Sequence, residues 1–235
     1  MTPLVLVHGF GTSRHIWRRV LEDVEALAID LIGFGDAVAQ GRAGQTVEDM
    51  AQALADRLRE AGDGPYRVAA HSMGGKVALL VAARNPGLVS ELFLIAPSPP
   101  TPEPMDPEGR AKLRAAHGDR DALNAQYHDI TVQPIPQQDF AQLVQDGLCA
   151  SRDAWTAWPD VGSREDISSQ LDGLNLPITV LFSEDDPAIS PDTIRSEVLG
   201  RFFQAKPVVI HGSGHLIPLE DPQAVVTLLA AKERR

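Results

Sequence analysis

The sequence predicts an α/β protein: a mainly parallel sheet of about six strands with flanking helices and a helical insertion before the last two strands. Three observations carry that prediction. Short apolar runs recur from end to end, several are continuous as in strands buried on both faces, and stretches of helical spacing separate them. The runs are Leu4 to Val7, Glu25 to Asp30, Tyr66 to Ala70, Glu91 to Ala96, Ile178 to Phe182 and Pro207 to Ile210, each too short for a helix.

Bulk properties bound the possibilities. At 235 residues and 43% hydrophobic content the chain can bury one substantial core. A formal charge of −11 without a dense Lys/Arg block argues against nucleic acid or an anionic membrane as partner. No apolar stretch approaches the roughly 20 residues that span a bilayer. The lone cysteine, Cys149, cannot form an internal disulfide, and no basic segment with an apolar signal core precedes Leu4, so a cytoplasmic location is expected. Cys149 itself reads as a small buried or half-buried side chain.

In open parallel sheets ligands bind beyond the carboxyl ends of the strands, so the residue after each run is the one to inspect. The first run ends in His8-Gly9-Phe10-Gly11. The second leads into Asp30-Leu31-Ile32-Gly33-Phe34-Gly35-Asp36, whose glycine pair lacks the longer spacing of a nucleotide-binding loop. Helical spacing over Val47 to Ala61 follows, and then the third run ends in His71-Ser72-Met73-Gly74-Gly75. Small residues on both sides of Ser72 leave room for a base and a substrate to approach its hydroxyl together; the bland alternative is a Ser-Gly strand-to-helix connection with no chemistry.

After the fourth run the rhythm breaks. Pro97 to Pro104 is a stiff, extended connector, and helical-looking pieces follow at Pro107 to His117, Arg120 to Asp129, Gln137 to Ala150 and Arg152 to Ala157. This divides the chain into a core of residues 1–97 and 174–235 and a helical cap of residues 98–173, laid over the strand ends. The fifth run ends in Ser183-Glu184-Asp185-Asp186 and the last leads to Gly212-Ser213-Gly214-His215. A serine, an acid and a histidine thus follow strands in that order. His215 is the candidate base for Ser72, and Asp185 and Asp186 compete to hold its imidazole.

These motifs, spread from about Leu4 to Leu229, resemble the α/β-hydrolase fold superfamily, in its serine esterase and lipase-like branch with a small helical cap. Val7 to Gly11 resembles that family's oxyanion loop, Ala70-His71-Ser72-Met73-Gly74 its nucleophile elbow, Ser183 to Pro187 its acid turn and Gly214-His215 its histidine loop. The resemblance implies Ser72 as nucleophile, His215 as base, Asp186 as its acid, and the backbone N–H groups of Phe10 and Met73 as the oxyanion hole. It departs from the family in Ala70 and Ser183, where glycine is common, and in the antiparallel hairpin expected to be missing at the amino edge of the sheet.

The resulting expectation is a serine hydrolase that cleaves a small carboxylic ester, lactone or thioester through an acyl-enzyme intermediate, with a small molecule as its partner and neither cofactor nor metal. His211 and His215 stand four apart, but across a glycine-rich loop with no carboxylate or cysteine to complete a metal set. Phe10, Trp155 and Trp158 are candidate substrate-pocket residues. Relatives that open epoxides or displace halide carry aspartate at the elbow, so Ser72 argues against both. A carbon–carbon bond hydrolase or lyase-like member with the same triad is the alternative, and a non-catalytic ligand receptor, marked by a broken triad, the less favoured one.

Overall fold

A computed structural model describes residues 2–230. Its sheet contains six strands: β1 (Leu4–Val7), β2 (Leu27–Ile29), β3 (Tyr66–His71), β4 (Val89–Ile95), β5 (Ile178–Ser183) and β6 (Lys206–Ile210). The order is β2-β1-β3-β4-β5-β6, and every pairing is parallel. β1, β3, β4 and β5 are almost wholly buried, in keeping with their continuous apolar runs, whereas the edge strand β6 is largely exposed. Of the run Glu25 to Asp30 only Leu27–Ile29 forms a strand, the three residues that pair with Val5, Leu6 and Val7 of β1.

Two helices pack together beside the central strands. α1 (Val47–Ala61) begins with a capping box in which Thr46 and Asp49 exchange side-chain and backbone hydrogen bonds. Its buried stripe is Val47, Met50, Ala51, Leu54, Ala55 and Leu58. α2 (Met73–Arg84) is buried from Met73 to Ala82, which explains a sequence that is apolar on every side.

Between β4 and β5 lie α3 (Pro107–Ala115), α4 (Arg120–Asp129), α5 (Gln137–Cys149) and α6 (Arg152–Asp160), and no strand among the described residues. α6 runs past the expected Ala157 and through Pro159 in its last turn, at the cost of the helical hydrogen bond that an N–H there would donate to the Trp155 carbonyl. Asp139 of α5 pairs with Arg18 and Arg19, and Asp146 accepts from Ser13 and Gln142. α6 abuts Gly33 closely enough that a Cβ there would lie 2.1 Å from that of Ala154. The chain closes with α7 (Pro191–Thr193, continued by wider π turns through Leu199), β6, α8 (Ile217–Glu220) and α9 (Pro222–Ala230). No helix among the described residues is long and apolar enough to cross a membrane.

Candidate active site

The chain leaves β1 toward β2 on one side and later returns to place β3 on the other. Reversal of the strand order opens a crevice at the carboxyl ends of β1 and β3. Register keeps the neighbouring ends level, with Val7 beside Ala70 and His71 beside Ile95. The loops after these strands therefore meet.

Ser72 follows β3 with φ of 51°, a left-handed conformation that costs a non-glycine residue about 1–3 kcal/mol and persists only where neighbours hold it. They do so here: Ser72 N donates to Ile95 O at 3.0 Å, and its carbonyl accepts from Gly75 N at 2.8 Å and Ser98 N at 3.0 Å. The turn also demands space. A Cβ on Gly74 would stand 2.3 Å from the His8 carbonyl oxygen, and one on Gly9 2.7 Å from His71 Nδ1. Ser72 occupies the N-cap of α2, yet its side chain makes no capping bond. The hydroxyl instead lies 2.9 Å from His215 Nε2.

His215 Nδ1 lies 2.8 Å from Asp186 Oδ2, and Asp186 Oδ1 accepts from Ala188 N at 2.8 Å and Ile189 N at 3.1 Å. Burial works against a charged imidazole at His215. The charge and hydrogen bond of Asp186, supported by Glu103 and Glu220, outweigh it and hold His215 above its ordinary value. For Asp186 burial likewise opposes charge, but His215 and the two amides prevail and lower its pKa. Asp185 is exposed, and its carboxylate accepts instead from Gly212 N at 2.7 Å. Geometry thus separates the two candidate acids.

His71 stays neutral, since burial and then the charge of His215 push its pKa down to about 3. Its Nε2–H donates to the His215 carbonyl at 2.9 Å and steadies that loop. Glu220 does more: one oxygen accepts from Gly214 N, Val132 N and Gln133 N, and the other from Leu216 N. It ties the histidine loop to the segment after α4, and Gly214 lets that segment approach within 2.6 Å of where a Cβ would stand.

The N–H groups of Phe10 and Met73 have no acceptor among the described residues. Met73 opens α2, where amides lack helical partners. The Phe10 N–H is aimed from behind. Its peptide partner, the Gly9 carbonyl, accepts from His8 Nδ1 at 2.8 Å and Thr12 Oγ1 at 3.0 Å, and a planar trans peptide turns the N–H the opposite way. His8 is neutral through burial, with Nε2 accepting from Leu31 N at 2.9 Å. Tyr127 of α4 donates to the Gly11 carbonyl at 2.6 Å.

Of the candidate pocket residues, Phe10 is half-buried and meets Trp155 with ring centroids 4.6 Å apart and the planes tilted by 52°. Trp155 is fully buried, backs Gly11 and donates to Leu113 O at 2.8 Å, while Trp158 packs against Gly162. Cys149 departs from expectation: it ends α5 exposed, because the buried stripe of that helix passes through Leu143, Val144 and Gly147. Thr12, Tyr127 and Glu220 had no motif to mark them, since each acts on backbone groups distant in sequence or hidden in a loop. Ser72 is only 8% exposed, and the surface cavities of about 500–620 Å³ that open near Arg201, Leu27, Asn85 and Arg67 touch neither it nor His215.

A parallel α/β sheet with serine, histidine and aspartate gathered beyond its carboxyl ends defines the architecture of a hydrolase. The chain belongs to the alpha/beta hydrolase family, whose profile matches residues 4–228. It is 26% identical to an esterase of Mycobacterium tuberculosis over 96% of this chain and 80% of that protein. Identity is 28% to a pimeloyl-[acyl-carrier protein] methyl ester esterase of Neisseria meningitidis, over 95% of this chain and 74% of the relative. Among solved structures, a bromoperoxidase from Bacillus anthracis superposes with a TM-score of 0.89 at 15% identity, over 100% of this chain and 92% of that one. Such a likeness speaks for the fold alone, because one fold hosts many reactions.

Proposed function

We propose that the chain is a serine hydrolase of small carboxylic esters, with lactones and thioesters as chemically equivalent substrates. The observation that carries this reading is the unbroken relay from Ser72 Oγ to His215 Nε2 at 2.9 Å and from His215 Nδ1 to Asp186 Oδ2 at 2.8 Å. The esterase relatives support ester over other acyl chemistry.

Ser72 Oγ attacks the carbonyl carbon while His215 Nε2 takes its proton, and the carbonyl oxygen becomes an oxyanion held by the N–H groups of Phe10 and Met73. Collapse breaks the bond to the alcohol, which leaves with the proton from His215. Water then attacks the acyl-enzyme, gives its proton to His215, and the second collapse releases the acid and returns the proton to Ser72. Asp186 keeps the imidazole in the tautomer that presents a bare Nε2 to the hydroxyl and stabilises the imidazolium formed in each half. The cap, residues 98–173, selects the acyl group. A cytoplasmic setting suits an acidic chain with one cysteine.

A fluorophosphonate probe and a short-chain ester panel test the reading together. Labelling of wild type at Ser72, its loss in Ser72→Ala and turnover of the esters are expected. Absence of labelling overturns the nucleophile; labelling with negligible ester turnover and rapid loss of a ring-cleavage diketone assigns carbon–carbon bond hydrolysis instead.

A further inference from the structure

Two loops of the site leave strands that are far apart in the sheet. The oxyanion loop follows β1 and the histidine loop follows β6, with β3, β4 and β5 between them. One stretch of chain, from Tyr127 in α4 to Gln133 in the segment after it, is bonded to both. On the oxyanion side, the Tyr127 hydroxyl donates to the Gly11 carbonyl at 2.6 Å. Tyr127 is buried, and its oxygen fills space that glycine leaves on two elements: a Cβ on Gly147 of α5 would lie 2.6 Å from it, and one on Gly11 3.1 Å. Burial and the charge of Asp146 hold the phenol far above its ordinary pKa, so it stays a donor. Gly11 follows Phe10, whose N–H is one of the two oxyanion donors on the hydrolase reading.

On the base side, both polar groups of the His215 main chain are taken. Its N–H donates to Ile130 O at 2.8 Å, and its carbonyl accepts from His71 Nε2 at 2.9 Å. The amides on either side, Gly214 N and Leu216 N, donate to Glu220 at 2.7 and 2.9 Å. The same buried carboxylate accepts from Val132 N at 2.8 Å and Gln133 N at 2.9 Å. So close an approach needs glycine: a Cβ on Gly214 would stand 2.6 Å from Ile130 O and 2.8 Å from Val132 N. Amide bonds to a charged carboxylate are stronger than neutral ones, so the histidine loop and the segment after α4 hold together as one piece.

Resting on the ester hydrolase reading, we propose that α4 and residues 130–133 form a brace that sets the oxyanion hole and the base relative to each other, with Tyr127 and Glu220 as its positioning residues. Asp186 orients the imidazole of His215 through Nδ1, whereas the brace fixes the backbone from which that ring hangs. Rate depends on such placement, because an error of about 1 Å costs about a hundredfold. This stretch therefore belongs to the catalytic frame and does not open as a lid.

The test is a double-variant cycle of Tyr127→Phe and Glu220→Gln, read as kcat on short esters per site titrated with a fluorophosphonate. Each single variant is expected to lose about tenfold in kcat with KM within about twofold, and the double variant to lose clearly less than the product, because residues that act as one unit are not additive. The acid limb of the pH profile tells the two ends apart. His215 is faced by Asp186 after β5, Glu103 after β4, Glu220 of α8 and His71 of β3. Glu220→Gln removes one of these charges and moves the limb to lower pH, whereas Tyr127→Phe leaves it in place. An unmoved limb in Glu220→Gln overturns the role of Glu220 at the base. Losses that multiply overturn the brace, since they mark two independent contacts. Unaltered kcat per titrated site, with only less protein labelled, assigns both residues to stability and overturns it too. Should Glu220→Gln fail to fold, Glu220→Asp, which keeps the charge on a shorter arm, takes its place in the cycle. Wild type that neither labels nor turns over esters sinks the hydrolase reading and the brace with it, whereas wild-type turnover with a multiplicative cycle sinks the brace alone.

Discussion

Asp185 and Asp186 are adjacent and chemically identical, and what their oxygens meet separates them. Asp186 faces His215 and two amides, while Asp185 turns outward to Gly212. Asp186→Asn leaves shape intact and favours the wrong imidazole tautomer, so kcat is expected to fall by about four orders of magnitude. Asp185→Asn leaves kcat within a few-fold; equal losses in the two variants contradict the assignment. The pH dependence follows from the same contact. With His215 as the proposed base, turnover needs its neutral form, and its raised pKa is expected to set the acid limb of kcat/KM above the ordinary 6.5. Stability runs the other way. The His215 contribution is complete below the unfolded value and is lost as pH rises through the folded one, and the Asp186 contribution is lost as pH falls through its lowered value. The pair therefore stabilises most at weakly acid pH, where His215 is protonated and the proposed base is blocked, and the Tm difference between wild type and His215→Gln shrinks as pH rises through neutrality. Thr12→Val tests the oxyanion loop: it removes one of the bonds that aim the Phe10 N–H, with a fall of about tenfold in kcat and little change in KM.

At the scale of elements, α2, which follows Ser72, is tied through Lys76 to the segment between β4 and β5. This side chain is fully buried, and burial lowers its pKa to about 8 despite the nearby acids. As a neutral amine it still carries two N–H groups for its two carbonyl acceptors, Thr101 and Glu165. An unfolded lysine titrates near 10.5, so between pH 8 and that value the unfolded chain holds the extra proton and stability rises with pH. Relative to Lys76→Met, wild type is expected to gain Tm over that interval; a difference independent of pH refutes a depressed lysine. The helix itself was readable beforehand, as was each strand, because continuous apolar runs and 3.6-residue spacing report burial directly. Lys76 was not readable. Its partners lie 25 and 89 residues away, on the connector after β4 and on the segment between α6 and β5, and nothing local in α2 distinguishes a lysine pointed at carbonyls from one in water.

For the molecule as a whole, topology explains why the strand-end motifs read from the sequence come together. A strand-order reversal places the loops after β1 and β3 together, and level strand ends bring the loops after β5 and β6 alongside, so motifs at strand ends converge without any tertiary detail. The supporting contacts depend on how the helices between β4 and β5 lie across those ends, which propensity does not encode: Tyr127 reaches Gly11 from 116 residues away and Glu220 reaches Val132 from 88. Ser72 is only 8% exposed, so on the proposed reading a bulky ester reaches it only if the surrounding segments shift. The firmest restraint on α5 is Asp139, buried between Arg18 at 2.9 Å and Arg19 at 2.7 Å. Asp139→Asn removes the charge. Both arginines are about one-third exposed and regain water, which limits the loss of stability to about 1–2 kcal/mol. Freed in this way, α5 is expected to admit larger substrates: kcat/KM for a naphthyl ester rises several-fold relative to that for a phenyl acetate, with short-ester turnover little changed. A constant ratio between the two esters shows that α5 stays in place while substrate passes.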